Sequence, residues 1–323
     1  MSSNLNRHRK QLFILIKVIF GLALVLLLFA QIDVRDFVAT FKEAQVDYCL
    51  LGFAVFGLMG IAESLRLFMA LKTFAVSFST SFFLYLTGMF FANFMPGNVG
   101  SEAYKVYFLT RIEPGFNKPI ALMFLLRISA LFVLLLMLMV YLPFNYTRLI
   151  ELTAGQIHFK TFEKSHFVIA SSIFVIGMIV LLVLMLKKQQ IFEKIKLQLL
   201  RFFHELTSLS PKQYLAILFL SFLVHSFRML FFYSFIRAFT AEFPFFDLIP
   251  VTALVVFASL LPISFASLGI REGAIVGGLM LFGITPEIAL AVAALARCAL
   301  LVFSLLGGGI FMAKKNKAKQ IPQ

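Results

Sequence analysis

The sequence predicts an all-α polytopic membrane protein, with about six full spans plus two re-entrant broken-helix hairpins arranged as an inverted repeat; the alternative is eight plain spans. Three observations predict it. Hydrophobic residues make up 61% of the chain and charged residues 14%, against roughly 45–50% and about 25% in soluble domains. Six apolar runs reach the ~20 residues that a helix needs to cross a bilayer. Two further segments, 80–112 and 247–283, each hold two shorter apolar runs split by "FMPGNVGSEAYK" at 94–105 and "LLPISFASLGIREG" at 260–273.

In chain order, Arg7, Arg9 and Lys10 precede an apolar run at 11–30 that is about twice the length of a signal-peptide core and lacks a small-x-small cleavage site, so it is expected to stay as an anchor. Residues 1–45 thus form an anchor span and a short outer loop. Residues 46–142 form a first repeat, with spans at 48–71 and 118–142 flanking the first broken segment. Residues 143–212 hold an outer loop, a connecting span at 166–186 and a basic stretch that reads as a helix on the membrane surface. A second repeat covers 213–312, with spans at 213–240 and 288–311, and 313–323 is a basic tail.

The net charge of +14 is carried mostly at the ends of apolar runs, where it sets orientation and does not signal nucleic acid. If each broken segment crossed once, the basic stretch 187–212 would face away from the basic N-terminus. If each instead dips in and returns, 17 of the 29 lysines and arginines fall on the cytoplasmic side and five outside. Both termini are then cytoplasmic, the first hairpin enters from the cytoplasm and the second from outside. Irregular backbone at membrane depth survives only when it is buried in protein or lines a wet cavity, so Pro96, Gly97, Gly100, Pro262 and Gly269 are expected to mark a site.

The halves match in more than the breaks. "ESLR" at 63–66 precedes the first hairpin and "HSFR" at 225–228 the second; "LLRISALFVLLL" at 125–136 and "LARCALLVFSLL" at 295–306 follow them. Glu102 to Arg127 and Glu272 to Arg297 are both 25 positions. Opposite-sense repeats with broken segments near the midplane are the build of many secondary transporters.

Charge inside the membrane is expensive, about 2.5–3.5 kcal/mol for an arginine at a helix centre on insertion scales, and here it is repeated. Arg66, Lys105, Arg127, Arg228, Arg271 and Arg297 lie in apolar segments with Glu63, Glu102 and Glu272. Glu63 with Arg66, and Glu102 with Lys105, stand at i, i+3, which allows local pairing. Interhelical ion pairs that fix the bundle are one reading of these charges. The other is a binding site: six cations against three carboxylates suit a phosphate, which guanidinium groups grip with paired hydrogen bonds, beside the positive ends of restarting helices. The glutamates either satisfy those helix starts or carry protons that couple movement to proton flux. Arg237, near the outer end of its span, reads as a snorkelling anchor.

Other chemistry finds no support. His158 and His166 have no metal-ligand spacing, no catalytic or phosphate-loop motif occurs, and Cys49 and Cys298 are too far apart to argue a disulfide framework. No metal or cofactor is expected. Asp33 and Asp36 in the first outer loop keep open a membrane-embedded lipid-modifying or polyprenyl-phosphate-dependent enzyme, and a non-transporting scaffold is the third class.

"NFMPGNVGSEAYKVYFL" at 93–109 resembles the first hairpin of the lysylphosphatidylglycerol synthase transmembrane-region family. "LPISFASLGIREGAIVGGLMLFGI" at 261–284 is similar to its second, followed by an Arg-bearing last span and "LLGG". "SFASLG" departs from the glycine-rich run usual there. By this resemblance Glu102, Lys105, Arg127, Arg271, Glu272 and Arg297 fall on motif positions. The resemblance implies the flippase domain of multiple peptide resistance factors, a stand-alone member without the aminoacyl-transferase domain, in the bacterial cytoplasmic (inner) membrane of the cell envelope. The expectation is a translocase for a lipid with an anionic, phosphate-bearing head group, with the bilayer as its other partner, Arg127 and Arg297 gripping the phosphate and Arg66 and Arg228 behind them. Sequence says nothing of oligomeric state.

Overall fold

A computed structural model of the chain describes residues 40–93, 99–156, 209–239, 242–260 and 267–319. Within them the order long helix, two short helices, long helix occurs twice: α1 (Val46–Ala70), α2 (Phe78–Ala92), α3 (Val99–Ile112) and α4 (Asn117–Gln156), then α5 (Pro211–Arg237), α6 (Leu248–Leu260), α7 (Ile270–Leu281) and α8 (Pro286–Lys319). Four segments are long and apolar enough to cross a membrane: Val46–Phe74, Asn117–Asn145, Pro211–Arg237 and Pro286–Ala313. They correspond to the expected spans at 48–71, 118–142, 213–240 and 288–311. The expected spans at 11–30 and 166–186, and nearly all of the basic stretch, lie outside the described residues.

Local sequence accounts for the helix boundaries. Ser210 and Gln213 form a reciprocal capping box at the start of α5, with Pro211 in the first turn, the position where its missing N–H is not needed. Ser77 accepts the Thr80 amide and starts α2. A 3₁₀ turn, Leu71–Phe74, extends α1 until Ala75 adopts a left-handed conformation at φ 51. Gly269, at φ 81, makes the turn into α7 that a side chain would resist, and the Glu272 carboxylate accepts its N–H at 2.7 Å. α4 outruns the expected 118–142 by continuing through Pro143 to Gln156; hydropathy marks only where lipid contact would stop, whereas Leu, Glu and Ala beyond it still favour helix.

Among apolar helices, packing and hydrogen bonds must supply what the hydrophobic effect supplies in water. α1 and α5 lie antiparallel: Gln45 N–H donates to Ala238 O at 3.0 Å at one end and Gln213 donates to Met69 O at 3.4 Å at the other. Between them Gly52 gives room to the Phe235 ring, whose Cε1 would stand 2.3 Å from an added Cβ. Each broken segment folds back on itself. Late in α2, Gly88 faces Ser101 early in α3, and late in α7, Gly278 faces Val251 early in α6.

Two apolar clusters result. The larger gathers Val55, Phe56, Phe231, Phe235, Leu248, Val255, Ile275 and Ala296; the smaller gathers Leu67, Leu71, Phe74, Leu84, Leu109, Leu122 and Ile217. Along α1 and α5 the polar residues Glu63, Arg66, Ser221, His225 and Arg228 fall largely between the two. Leu50, Phe132, Met139, Phe219 and Leu305 point outward and are exposed, as a lipid-facing surface requires.

Candidate functional site

Between the clusters lies a cavity of about 310 Å³ lined from every helix described: Glu63 and Arg66 on α1, Tyr85 and Asn93 at α2, Ser101, Glu102 and Lys105 on α3, Arg127 on α4, His225 and Arg228 on α5, Ser259 on α6, Arg271 on α7 and Leu300 on α8. Five of the six cations that the sequence singled out face it, with two of the three glutamates. Arg297 and Glu272 do not line it.

α1 and α5 build one wall. Arg66, buried, holds Glu63 at 2.7 Å and donates to Ser221 Oγ at 3.2 Å and Leu126 O at 3.3 Å, so one guanidinium ties α1 to both α4 and α5. Ser221 also donates to Ile217 O at 2.7 Å, the bond back along its own helix that spares a buried hydroxyl. One turn on, the His225 ring bridges its Nε2 to Ala130 O at 2.9 Å and its Nδ1 to the Arg228 guanidinium at 3.4 Å. Since a carbonyl only accepts and a guanidinium only donates, Nε2 carries the proton and the ring is neutral.

Glu102, in the first turn of α3, pairs with Arg127 of α4 at 3.1 Å, both side chains 34% exposed. Local pairing with Lys105 does not form: Arg127 Nη2 of α4 meets the carboxylate, while Lys105 lies over Gly88, its Cε 3.1 Å from where a Cβ would be. Neither Lys105 nor Arg271 has a carboxylate within 4 Å among the described residues. In the second half Arg297 Nε donates to Glu272 Oε1 at 2.6 Å, with 15% and 12% of their side chains exposed. Among the hairpin breakers, Gly100 is buried in α3 and Gly269 precedes α7, while Pro96, Gly97 and Pro262 lie outside the described residues.

Sequence reasoning missed three contributors. His225 stands at i−3 from Arg228 inside the quoted "HSFR", a spacing that could have flagged it. Tyr85, and Asn93, which donates to Ser304 Oγ at 2.5 Å across to α8, carry no such signal. No group of three or more potential metal ligands occurs among the described residues.

Over residues 14–308 the sequence matches the model of the family described as Lysylphosphatidylglycerol synthase TM region. The chain belongs to that family. No curated protein and no solved structure matches it. For this member of the lysylphosphatidylglycerol synthase TM region family, the match and the four long apolar helices make it a multi-pass membrane protein of lipid-related function. Its cavity is walled by the two broken segments together with the four long helices.

Proposed function

We propose that this chain is a translocase that moves a lipid with an anionic, phosphate-bearing head group between the leaflets of the bacterial cytoplasmic membrane. One observation carries the reading: five cations and two carboxylates line a single cavity, and both carboxylates already have arginine partners. A surplus of guanidinium and ammonium groups in a low-dielectric space is a phosphate receptor. Lys105, Arg127, Arg228 and Arg271 are assigned to the head group and Arg66 to bracing the wall they face. Arg297, engaged with Glu272, is assigned to positioning α7 and not to gripping phosphate.

In this reading six spans and two re-entrant hairpins form an inverted repeat, both termini are cytoplasmic, and rocking of one half against the other exposes the cavity to each leaflet in turn. Glu102, a third exposed and beside the cavity, is the carboxylate placed to exchange a proton as Arg127 turns to substrate. No covalent step is assigned: the chain transports and does not turn its lipid over.

The test is leaflet exchange in proteoliposomes, read by quenching of a head-group-labelled anionic lipid on the outer face. Wild-type protein should accelerate exchange over empty vesicles, and an Arg127→Gln, Arg228→Gln variant of unchanged stability should lose at least about tenfold of the excess rate. An unchanged rate in the variant sinks the reading.

A further inference from the structure

We infer that the cavity takes a head group bearing two or more negative charges, a phosphomonoester or a diphosphate, and disfavours a lipid whose head group is neutralised or made cationic by an aminoacyl ester. The inference rests on the translocase reading and sharpens its substrate.

Charge compensation leads there. Arg66 and Arg127 are each met by a carboxylate, at 2.7 and 3.1 Å. Arg228 has the neutral His225 ring at 3.4 Å, and none of Arg228, Lys105 and Arg271 has a carboxylate within 4 Å among the described residues; Glu63 acts on Arg228 and Lys105 only from beyond ion-pair distance. The third glutamate forms no ion pair with these cations: Glu272 is bonded to Arg297 and to the Gly269 amide outside the cavity lining, an arginine–glutamate pair that leaves the surplus unchanged. The lining therefore carries five cations against two carboxylates, a surplus of three positive charges facing one space, and charge at membrane depth is unfavourable until an anion or water meets it.

A phosphodiester brings one negative charge and leaves two cations unmet. A phosphomonoester, with a second ionisation near pH 6, brings close to two; a diphosphate brings more. Two monoanionic lipids would meet the charge equally well, but about 310 Å³ is at the low end of the roughly 300–1,000 Å³ of single-ligand pockets. One polyanionic head group fits the space. An aminoacyl ammonium would instead set a fourth positive charge against the three.

The experiment is lipid binding by the full-length protein in mild detergent at about pH 8, read by native mass spectrometry. The probes are phosphatidic acid, phosphatidylglycerol and lysylphosphatidylglycerol of identical acyl chains, with inorganic pyrophosphate as a soluble competitor. Phosphatidic acid should bind about tenfold more tightly than phosphatidylglycerol, the low end of one further charge-assisted contact, and lysylphosphatidylglycerol should bind weakest. In a Lys105→Gln, Arg271→Gln variant the preference should shrink to about threefold or less, and Lys105→Arg, which keeps the charge, should preserve it. Equal binding of the first two lipids, or preference for the aminoacyl lipid, overturns the inference; the wild-type comparison decides this even if the double variant does not fold. Displacement of phosphatidic acid by pyrophosphate supports recognition of the phosphate alone, and resistance to displacement with the preference intact supports a lipid-borne polyanion. Binding is read without transport, so a retained preference in a protein that moves no lipid refutes translocation and leaves the charge inference standing.

Discussion

Gly307 is where α8 crosses α2 with no room for a methyl group. A Cβ built there would stand 2.1 Å from Leu86 O, 2.5 Å from Leu86 C and 3.2 Å from Thr87 N. These are backbone atoms of a helix, which cannot rotate aside as the end of a side chain can. Restoring contact near 3.5 Å requires the two helices to part by roughly 1.4 Å at the crossing, which would also strain the 2.5 Å Asn93–Ser304 bond nearby. Gly309, two residues on, is exposed and has nothing within 4 Å. Both glycines are inside α8, so alanine gains the same helix propensity at each, about 1 kcal/mol, and this cancels in the comparison. The difference between Gly307→Ala and Gly309→Ala is then the overpacking alone, about 1–3 kcal/mol, toward the upper end because backbone obstructs backbone. Denaturant unfolding in mixed micelles, followed by far-ultraviolet circular dichroism, measures it. Gly307→Ala should be the less stable of the two, with Gly309→Ala at or above wild type. Equal stabilities would refute the crossing as described.

Three further outcomes follow from single contacts. Arg297→Ala strands the buried Glu272 and should lower stability by about 3–5 kcal/mol, largely recovered in Arg297→Ala with Glu272→Ala; the half-open Glu102–Arg127 pair should lose far less on Arg127→Ala, and the same unfolding assay compares them. Gly88→Ala places a Cβ 2.6 Å from Ser101 Oγ and 3.1 Å from Lys105 Cε, so it should shift the lysine stem and weaken phosphatidic acid binding severalfold, an effect that should vanish in a Lys105→Ala background. His225→Ala removes the acceptor of Arg228 and the donor to Ala130 O and should destabilise by about 1–3 kcal/mol, with His225→Gln restoring part; a neutral effect in thermal unfolding would contradict the bridging role.

Hydropathy located α1, α4, α5 and α8 because span length is a local property: about 20 apolar residues suffice, whatever lies beside them. Proline and glycine marked the two helix changes for the same reason: α2 and α6 end where the quoted motifs begin, and α3 and α7 start within them. Partner choice is not local. Spacing allowed Glu102 to take Lys105, yet it takes Arg127, since only the fold reveals that α4 crosses in front of α3. Arg297 looked equivalent to Arg127 by position, and the difference in what each faces follows from how α7 and α8 pack. The spacing of His225 to Arg228 on one helix was legible, but its bond to Ala130 O was not, because that partner is set only where α4 and α5 meet.

The two carboxylate–arginine pairs bear on why the halves diverge. Each half places a glutamate in the restarting turn of its broken segment and an arginine 25 residues later in the next long helix, and in both halves the pair forms. The two halves thus carry the same carboxylate–arginine contact at matching positions. The copies nonetheless have different surroundings. Glu272 accepts from Arg297 and from the Gly269 amide and is 12% exposed at its side chain. With both carboxylate oxygens engaged and little water near, breaking that pair would leave two buried charges, and it is suited to holding α7 against α8. Glu102 and Arg127 are each 34% exposed, beside the cavity, with one contact at 3.1 Å. On the proposed function a ligand phosphate would replace that carboxylate at Arg127, the freed Glu102 regaining water. Under the proposed function the same pairing would be a fixed joint in one half and an exchangeable one in the other, and an anionic head group would compete only for the second.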